Sequence, residues 1–595
     1  MEKSKITKSL AVFASVLLVI IIGVASFAYF GTFNVNLVNN VAVNINSSSP
    51  GNATFTSNAT QLNLQVPAAN MSFTVANNTV AAKEDTAFLD VTLTGSSNLL
   101  TTCTYDIVYE YDAGSNVYGQ GTTTKTSDAT KEITIEVNGM NRNNHFATET
   151  NFDHASIQSY YDSTNKYYKL VEGATIKSLG STQSVRWKII GRYYNLNVSQ
   201  AQLGGKNFTG KIYAISKGCS SEDGSSVKKG YETILANNGG KTVIEAKTTP
   251  DFTTSATTNE GIYAAQDDLG MSYYFRGAVD NNWVKYGKYT KDTYITADGN
   301  NNISLVESCN GLNLCAKLAS KGDDMYWRII RINGDNSIRM IYTGTSAPDN
   351  NTKVVMTEST NSSGYIRATS AGRSKFNQNY DSAEYVGYMY EIGEQHGNST
   401  DSTIKTYLDN WYANYTDLNK TGTRITDQIF CNDRTASTSD VAYSTTNYTT
   451  LTSWNSKGTD YYYGANGRIV NDNNPMLTCA VDSDRFTVNK INGKGNSALT
   501  YPIGLITIDE LEMAGNNWSE SNTSYYLHTG AYYWAGSPFA FLGGPSANEF
   551  RVIGDGFLGY GDVYGINNGV RGVVSLSSES KLLGSGTYND VYTVN

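Results

Sequence analysis

Carboxylates crowd together at Asp509, Glu510 and Glu512, and again at Glu391 and Glu394 beside His396. Paired carboxylates can divide acid and base roles, and a carboxylate next to an imidazole can move a proton or hold a metal. The first group has a simpler account. Thr507 stands three residues before Glu510, Ile508 and Leu511 supply a short apolar run, and Gly515 follows. That spacing predicts a helix over 508–514 with a capping box and a glycine C-cap, its carboxylates favouring the N-terminal end. The second group lacks a further His four residues on, and His145, His154, His396 and His528 are scattered. Asp298 with its following asparagines, and the pair Asp323 and Asp324, lack the alternating ligands of a calcium loop and read as turns. No Gly-x-Ser-x-Gly and no phosphate-binding glycine loop with Lys occurs. The residues thus predict no catalytic centre, no metal and no cofactor. A cell-envelope hydrolase is the alternative from another class, and it requires a polar cleft with two placed carboxylates.

The cysteines carry a second kind of chemistry. Cys103, Cys219, Cys309, Cys315, Cys431 and Cys479 form an even set without Cys-x-x-Cys or zinc-ligand spacing, as expected of disulfides in an exported chain. Proximity and domain membership favour pairing Cys103 with Cys219, Cys309 with Cys315 and Cys431 with Cys479, although six cysteines allow about 15 connectivities. Export has its own signal. Lys3, Lys5 and Lys8 precede an apolar run over 10–30, long enough to span a bilayer and oriented with the remainder outside. An uncleaved anchor over 1–30 is expected. The competing account is a cleavable signal peptide, with Ser26 and Ala28 at the cleavage site.

The elements follow from periodicity. Two apolar runs, 327–332 and 338–342, flank Asn333-Gly334-Asp335-Asn336, a hairpin signature with apolar residues on both faces. Such a hairpin needs cover on both sides, so it belongs in the middle of a domain over 261–595. Ser402 followed by Ile404, Tyr407, Leu408, Trp411, Tyr412 and Tyr415 at helical spacing predicts an amphipathic helix whose aromatic stripe is core. Alternation over 103–111, and again over 88–93, 133–137, 185–189 and 208–215, predicts an immunoglobulin-like β-sandwich over 31–218. The Asn/Ser/Thr-rich stretch 34–69 reads as a stalk, and the polar stretch 219–260 as a connector with a short helical patch at 231–235. The whole reads as mainly β with α+β. With 43 Tyr and 54 Gly against 8 Pro, the composition favours strands and turns. A net charge of -9 argues against nucleic acid as a partner.

Runs at 273–287, 326–344, 402–412, 429–434, 500–515, 525–538 and 569–590 resemble those of uncharacterised membrane-anchored surface proteins of gut-associated Firmicutes and mollicute-like bacteria. They are also similar to the C-type-lectin-like fold shared by formylglycine-generating enzymes and the variable proteins of diversity-generating retroelements. Trp327-Arg328, Trp534-Ala535-Gly536-Ser537-Pro538 and Gly569-Val570-Arg571-Gly572-Val573 carry that resemblance, with Gly572 in place of the usual proline. It implies a C-type-lectin-like α+β domain over 261–595. The oxidase activity is not implied, because no cysteine follows Cys479, nor is a lectin's calcium site, because Glu-Pro-Asn and Gln-Pro-Asp are absent. In the retroelement proteins the binding residues precede the closing strand. Their counterparts here are Tyr532, Tyr533, Trp534, Phe539, Asn548, Phe550, Tyr560, Asp562, Tyr564, Asn567 and Asn568. Tyrosine offers stiff amphipathic contact area and asparagine adaptable hydrogen bonds. The competing account is a glycine-rich loop that packs its aromatics inward. The resemblance implies an extracellular adhesin or receptor, held in the membrane by its N-terminal helix, whose partner is a glycan or protein of a host or neighbouring cell. A coat protein without a specific ligand is the third reading.

Overall fold

The structure, a computed structural model, describes residues 41–46, 52–65, 81–95, 99–111, 133–138, 149–151, 161–162, 167–194 and 207–224. It also describes residues 227–595 apart from 299–301, 311, 313–314, 347, 349–358, 362–363, 367–370, 439–459 and 543–545. The described residues are mainly β, 47% of them in strands against 12% in helices, which rules out a helical bundle there. No described helix is long and apolar enough to cross a membrane, and the anchor expected over 10–30 lies outside the described residues.

Two antiparallel sheets share the N-terminal core. One orders Val41–Asn46, Asn52–Ser57, Ala81–Thr94, Thr182–Tyr194, Ile133–Asn138 and Glu149–Asn151; the other orders Thr60–Gln65, Asn207–Asp223, Leu99–Tyr111, Tyr167–Leu179 and Tyr161–Asp162. Leu89 and Val91 meet Tyr105 and Ile107 in one cluster, and Trp187 Nε1 donates to the Tyr105 hydroxyl across the sheets at 3.0 Å. All five alternating stretches fall within strands. Much of the expected stalk is strand too. Ala53, Phe55 and Ser57 are buried while Thr54 and Thr56 are half-exposed, so a period-two pattern hides beneath the polar composition.

The expected connector belongs elsewhere. The strand Asn207–Asp223 passes the expected boundary, and the helices Gly230–Asn237 and Lys241–Glu245 then insert Ile234, Leu235 and Ile244 into the C-terminal core. Three apolar anchors in a polar stretch were too few to reveal themselves by periodicity.

The hairpin lies at the centre of the C-terminal unit. Strands Asp324–Ile332 and Ile338–Gly344 pair antiparallel, with Trp283–Lys288 on one side and Val573–Leu576 on the other. Every residue of Asp324–Ile332 is buried, as apolar residues on both faces require. Asn336 at the turn has φ 68°, a left-handed conformation that asparagine tolerates. The chain end returns to this sheet, where Tyr592–Val594 runs parallel to Trp283–Lys288. Gly572 precedes the closing strand. A Cβ there would lie 3.0 Å from Ile503 Cδ1 and 3.2 Å from Trp411 Cζ3, so the packed tryptophan occupies the space a side chain would need.

The two units meet through charge. Lys285 Nζ donates to the Ser184 carbonyl at 2.7 Å and lies 3.9 Å from Asp324, whose Oδ2 accepts from the Arg186 backbone N–H at 3.2 Å. Disulfides join Cys103 to Cys219, Cys309 to Cys315 and Cys431 to Cys479. Cys103 and Cys219 face each other on neighbouring strands of one sheet.

Candidate functional site

A four-stranded antiparallel sheet carries most of the residues singled out before the closing strand. Its order is Tyr461–Tyr462, Tyr533–Leu542, Ser546–Val552 and Leu558–Asp562. The register places Phe550 opposite Tyr560, Asn548 opposite Asp562 and Arg551 opposite Gly559. Strand alternation therefore puts Phe550 and Tyr560 on one face and Arg551 on the other.

The first face is an aromatic stack. Phe539 and Tyr560 lie 4.0 Å apart and within 4° of parallel, Phe550 meets Phe539 edge-on at 5.1 Å, and Trp518 stacks on Phe539 at 5.8 Å. Each such pair adds about 0.5–1.5 kcal/mol beyond burial, so the stack holds Tyr560 in one orientation. Tyr560 nevertheless stays 42% exposed. A short way on, Tyr564 is 39% exposed and packs against Tyr380, itself 43% exposed, with ring centres 5.5 Å apart. Lys375 Nζ sits 3.8 Å from the Tyr564 ring centre. On the reverse face the Arg551 guanidinium lies 5.2 Å over the half-exposed Tyr532 ring, and its Nη1 donates to Asn568 Oδ1 at 3.4 Å.

The eleven residues thus separate into two sets. Tyr533, Trp534, Phe539, Asn548, Phe550 and Asn568 are buried. Tyr533 donates to the Leu527 carbonyl at 3.1 Å under the Arg571 guanidinium, and Trp534 Nε1 donates to the Ser374 carbonyl at 2.8 Å. The first five form the sheet's interior, because both faces of Tyr533–Leu542 are covered, and Asn568 lies buried in the loop beyond it. Tyr560, Tyr564 and Asn567 are exposed, and Tyr532 and Asp562 half-exposed. Asp562 accepts from the Tyr564 backbone N–H at 2.8 Å and the Ser546 hydroxyl at 3.0 Å, which fixes the turn that presents Tyr564. Sequence reading missed Arg551, Lys375 and Tyr380. Arg551 was within reach of it, as a charged residue alternating with Phe550 in a strand. The other two are brought in from a segment some 180 residues earlier.

The partners of Asp509 and Glu510 lie outside this surface. Thr507 caps the helix Ile508–Met513 as expected, its hydroxyl accepting from the Glu510 N–H while the Glu510 side chain accepts from the Thr507 N–H. Glu510 Oε1 also pairs with Arg331 at 2.9 Å and Arg339 at 2.6 Å, and Arg331 reaches Asp267 at 2.6 Å. Asp509 pairs with Arg468 at 3.1 Å. Burial pushes the Glu510 carboxyl up, but Arg339 and Arg331 outweigh it and hold the group below the ordinary range. A cleft lined by Asp267, Asp268, Asp509 and Glu510 does exist, yet its carboxylates serve as counterions to arginines. Such a network braces the hairpin against the helix and leaves no unpaired base at that place. Glu391 and Glu394 face each other across a tight turn, and His396 Nδ1 bonds Asp484 at 2.9 Å, which in turn binds Arg434 at 2.6 Å. Among the described residues no group of three or more His, Cys, Asp or Glu could hold a metal ion. Compared with known protein families and with curated proteins, the chain matches none.

Proposed function

We propose that this chain is a surface recognition protein, an adhesin or receptor that binds a glycan or protein ligand without catalysis. It would be held in the membrane by residues 1–30, with an immunoglobulin-like sandwich below a C-type-lectin-like domain. The observation that carries the reading is the clustering of exposed tyrosine. Three of the seven large apolar side chains exposed among the described residues are Tyr380, Tyr560 and Tyr564, all in or against the segment before the closing strand. A coat protein without ligand would scatter such residues. Here Tyr560 is instead held by a stacked aromatic row, so a ligand would find it already ordered.

The lectin-like reading draws support from the three runs that suggested it. Trp327-Arg328 lies in the central hairpin, Trp534 to Pro538 in the four-stranded sheet, and Val573 starts a strand that pairs with Ile338–Gly344 on one side and Ile425–Thr426 on the other. The sandwich reading draws on two antiparallel sheets with one core, although the Cys103–Cys219 disulfide joins strands within a sheet rather than across the two.

The test is a binding screen of the purified full chain on glycan arrays and immobilised matrix proteins, with the double variant Tyr560→Ala, Tyr564→Ala beside it. Saturable binding by the wild type, lost in a variant with an unchanged thermal midpoint, is expected. Absence of binding by folded wild type, or binding indifferent to both tyrosines, overturns the reading.

A further inference from the structure

We propose that the reverse face of the four-stranded sheet holds a site for the carboxylate of an acidic saccharide, built on Arg551 beside Tyr532 and the loop 564–568. The proposal goes beyond the recognition reading, which Tyr560 carries on the other face of the sheet: it names a second binding face and the ligand class that face would take. Its starting point is an imbalance of charge. Four of the buried arginines of the C-terminal unit pair with carboxylates: Arg276 with Glu260 at 3.0 Å, Arg331 with Asp267 at 2.6 Å, Arg339 with Glu510 at 2.6 Å and Arg434 with Asp484 at 2.6 Å, while buried Arg373 bonds the Ile566 carbonyl and Asn567 Oδ1. Arg328 and Arg571 are fully buried exceptions, spread over aromatic rings and backbone carbonyls. Arg551 differs from all of these. It reaches the surface and makes no ion pair among the described residues, and the ionisable groups that bear on it are the phenols of Tyr532 and Tyr560. In a chain of net charge -9, a half-buried cation without a carboxylate is a choice against the prevailing composition.

The local geometry adds donors that lack acceptors. Among the described residues Arg551 Nε is buried without a hydrogen-bond partner, and its Nη1 makes the 3.4 Å bond to Asn568. Asn568 is 1% exposed, and its Nδ2 likewise has no acceptor. Arg551 is the half-exposed member of this pair, so an oxyanion would meet its guanidinium and supply the counter-charge and acceptor that it lacks. The guanidinium's seat is also specific. A Cβ at residue 561 would fall 2.9 Å from Arg551 Nη1 and 3.0 Å from Cζ, so glycine there lets the side chain lie across the outer strand. A planar carboxylate matches the guanidinium fork, and the flat rings of Tyr532 and Tyr564 suit the C–H face of a sugar.

The experiment uses the full chain on an array of uronate-bearing, sialylated, sulfated and neutral glycans, followed by titration of the strongest acidic probe and its carboxyl-reduced form. The proposal expects acidic probes to bind at least tenfold tighter than their reduced forms, with affinity falling as salt rises from 50 to 500 mM. Arg551→Gln is expected to lose about tenfold on the acidic probe and leave the reduced form unchanged. Arg551→Lys keeps the charge, guards against a folding artefact, and should recover part of the loss. Equal binding of acidic and reduced probes overturns this inference while the recognition reading stands. Preference for sulfated over carboxylated glycans overturns the carboxylate assignment, and binding to no glycan at all overturns the saccharide itself.

Discussion

Glu512 is buried in the helix Ile508–Met513 with neither carboxylate oxygen hydrogen-bonded among the described residues, and burial pushes its carboxyl from 4.5 up to about 9. Between those values the unfolded chain is ionised at this residue and the folded chain is protonated, so the fold binds the extra proton. Stability must then fall as pH rises through that window, by up to about 1.4 kcal/mol per pH unit. Glu512→Gln keeps the shape and removes the titration. The wild type's thermal midpoint should drop relative to the variant's between pH 5 and pH 8, and parallel curves would show that the group ionises freely in the folded chain. Glu510 three-dimensionally opposes it in character. Glu510→Gln leaves Arg339 without its counterion and Arg331 with half of its own, so a loss of about 3–5 kcal/mol is expected in urea unfolding. A loss under about 1 kcal/mol would mean that the network contributes nothing net. The sequence exposed both carboxylates and the capping box. It could not assign their partners, because Arg331 and Arg339 lie more than 170 residues away on the hairpin.

At the scale of elements, the turn of the central hairpin shows why glycine is needed once. Gly334 packs directly on the tip of the hairpin made by Asn259–Asp267 and Gly270–Gly277, where a Cβ would fall 2.2 Å from Gly270 N and 2.4 Å from Asp267 Oδ1. Backbone cannot yield as a flexible side chain does. Gly334→Ala is therefore expected to cost more than about 2 kcal/mol, from displaced packing and from the lost bond between the Gly334 N–H and Asp267 Oδ2 at 2.9 Å. Denaturant unfolding measures it, and a change within about 0.5 kcal/mol would show the two tips to be loosely apposed. The hairpin, the capped helix, the helix after Ser402 and the alternating strands were legible because each is encoded within one short run of neighbouring residues. The pairing of the chain end with Trp283–Lys288 was not, since Tyr592–Val594 is three residues long and its partner lies some 300 residues earlier. Aromatic residues before the closing strand were legible as a group. Which of them face solvent depends on cover from Trp518, Phe376 and Lys375, and no local pattern encodes that.

For the whole molecule, the join between the units is charged and buried. Asn595 Oδ1 accepts from the Ser181 hydroxyl at 2.6 Å and from the Leu179 N–H at 3.2 Å, and Asp324 faces Lys285 and Lys288. Burial lowers the Lys285 ammonium to about 8, and the nearby Asp324 carboxylate opposes that shift. Asp324→Ala would leave Lys285 buried without its counterion, so the C-terminal unit is expected to lose about 3–5 kcal/mol. Calorimetry should then resolve its transition at lower temperature than the sandwich's. An undivided, unshifted transition would mean that the join does not depend on this pair. A firm join also bears on recognition, because it would present the tyrosine-bearing sheet at a fixed attitude to the sandwich. The most direct test of the account is titration of the full chain with every probe that binds on the array, comparing wild type with Tyr560→Ala and Tyr560→Phe on each. The account predicts a loss of about tenfold or more for the alanine variant and near-wild-type affinity for phenylalanine, which keeps the stacked ring. Equal affinity for all three proteins would contradict it.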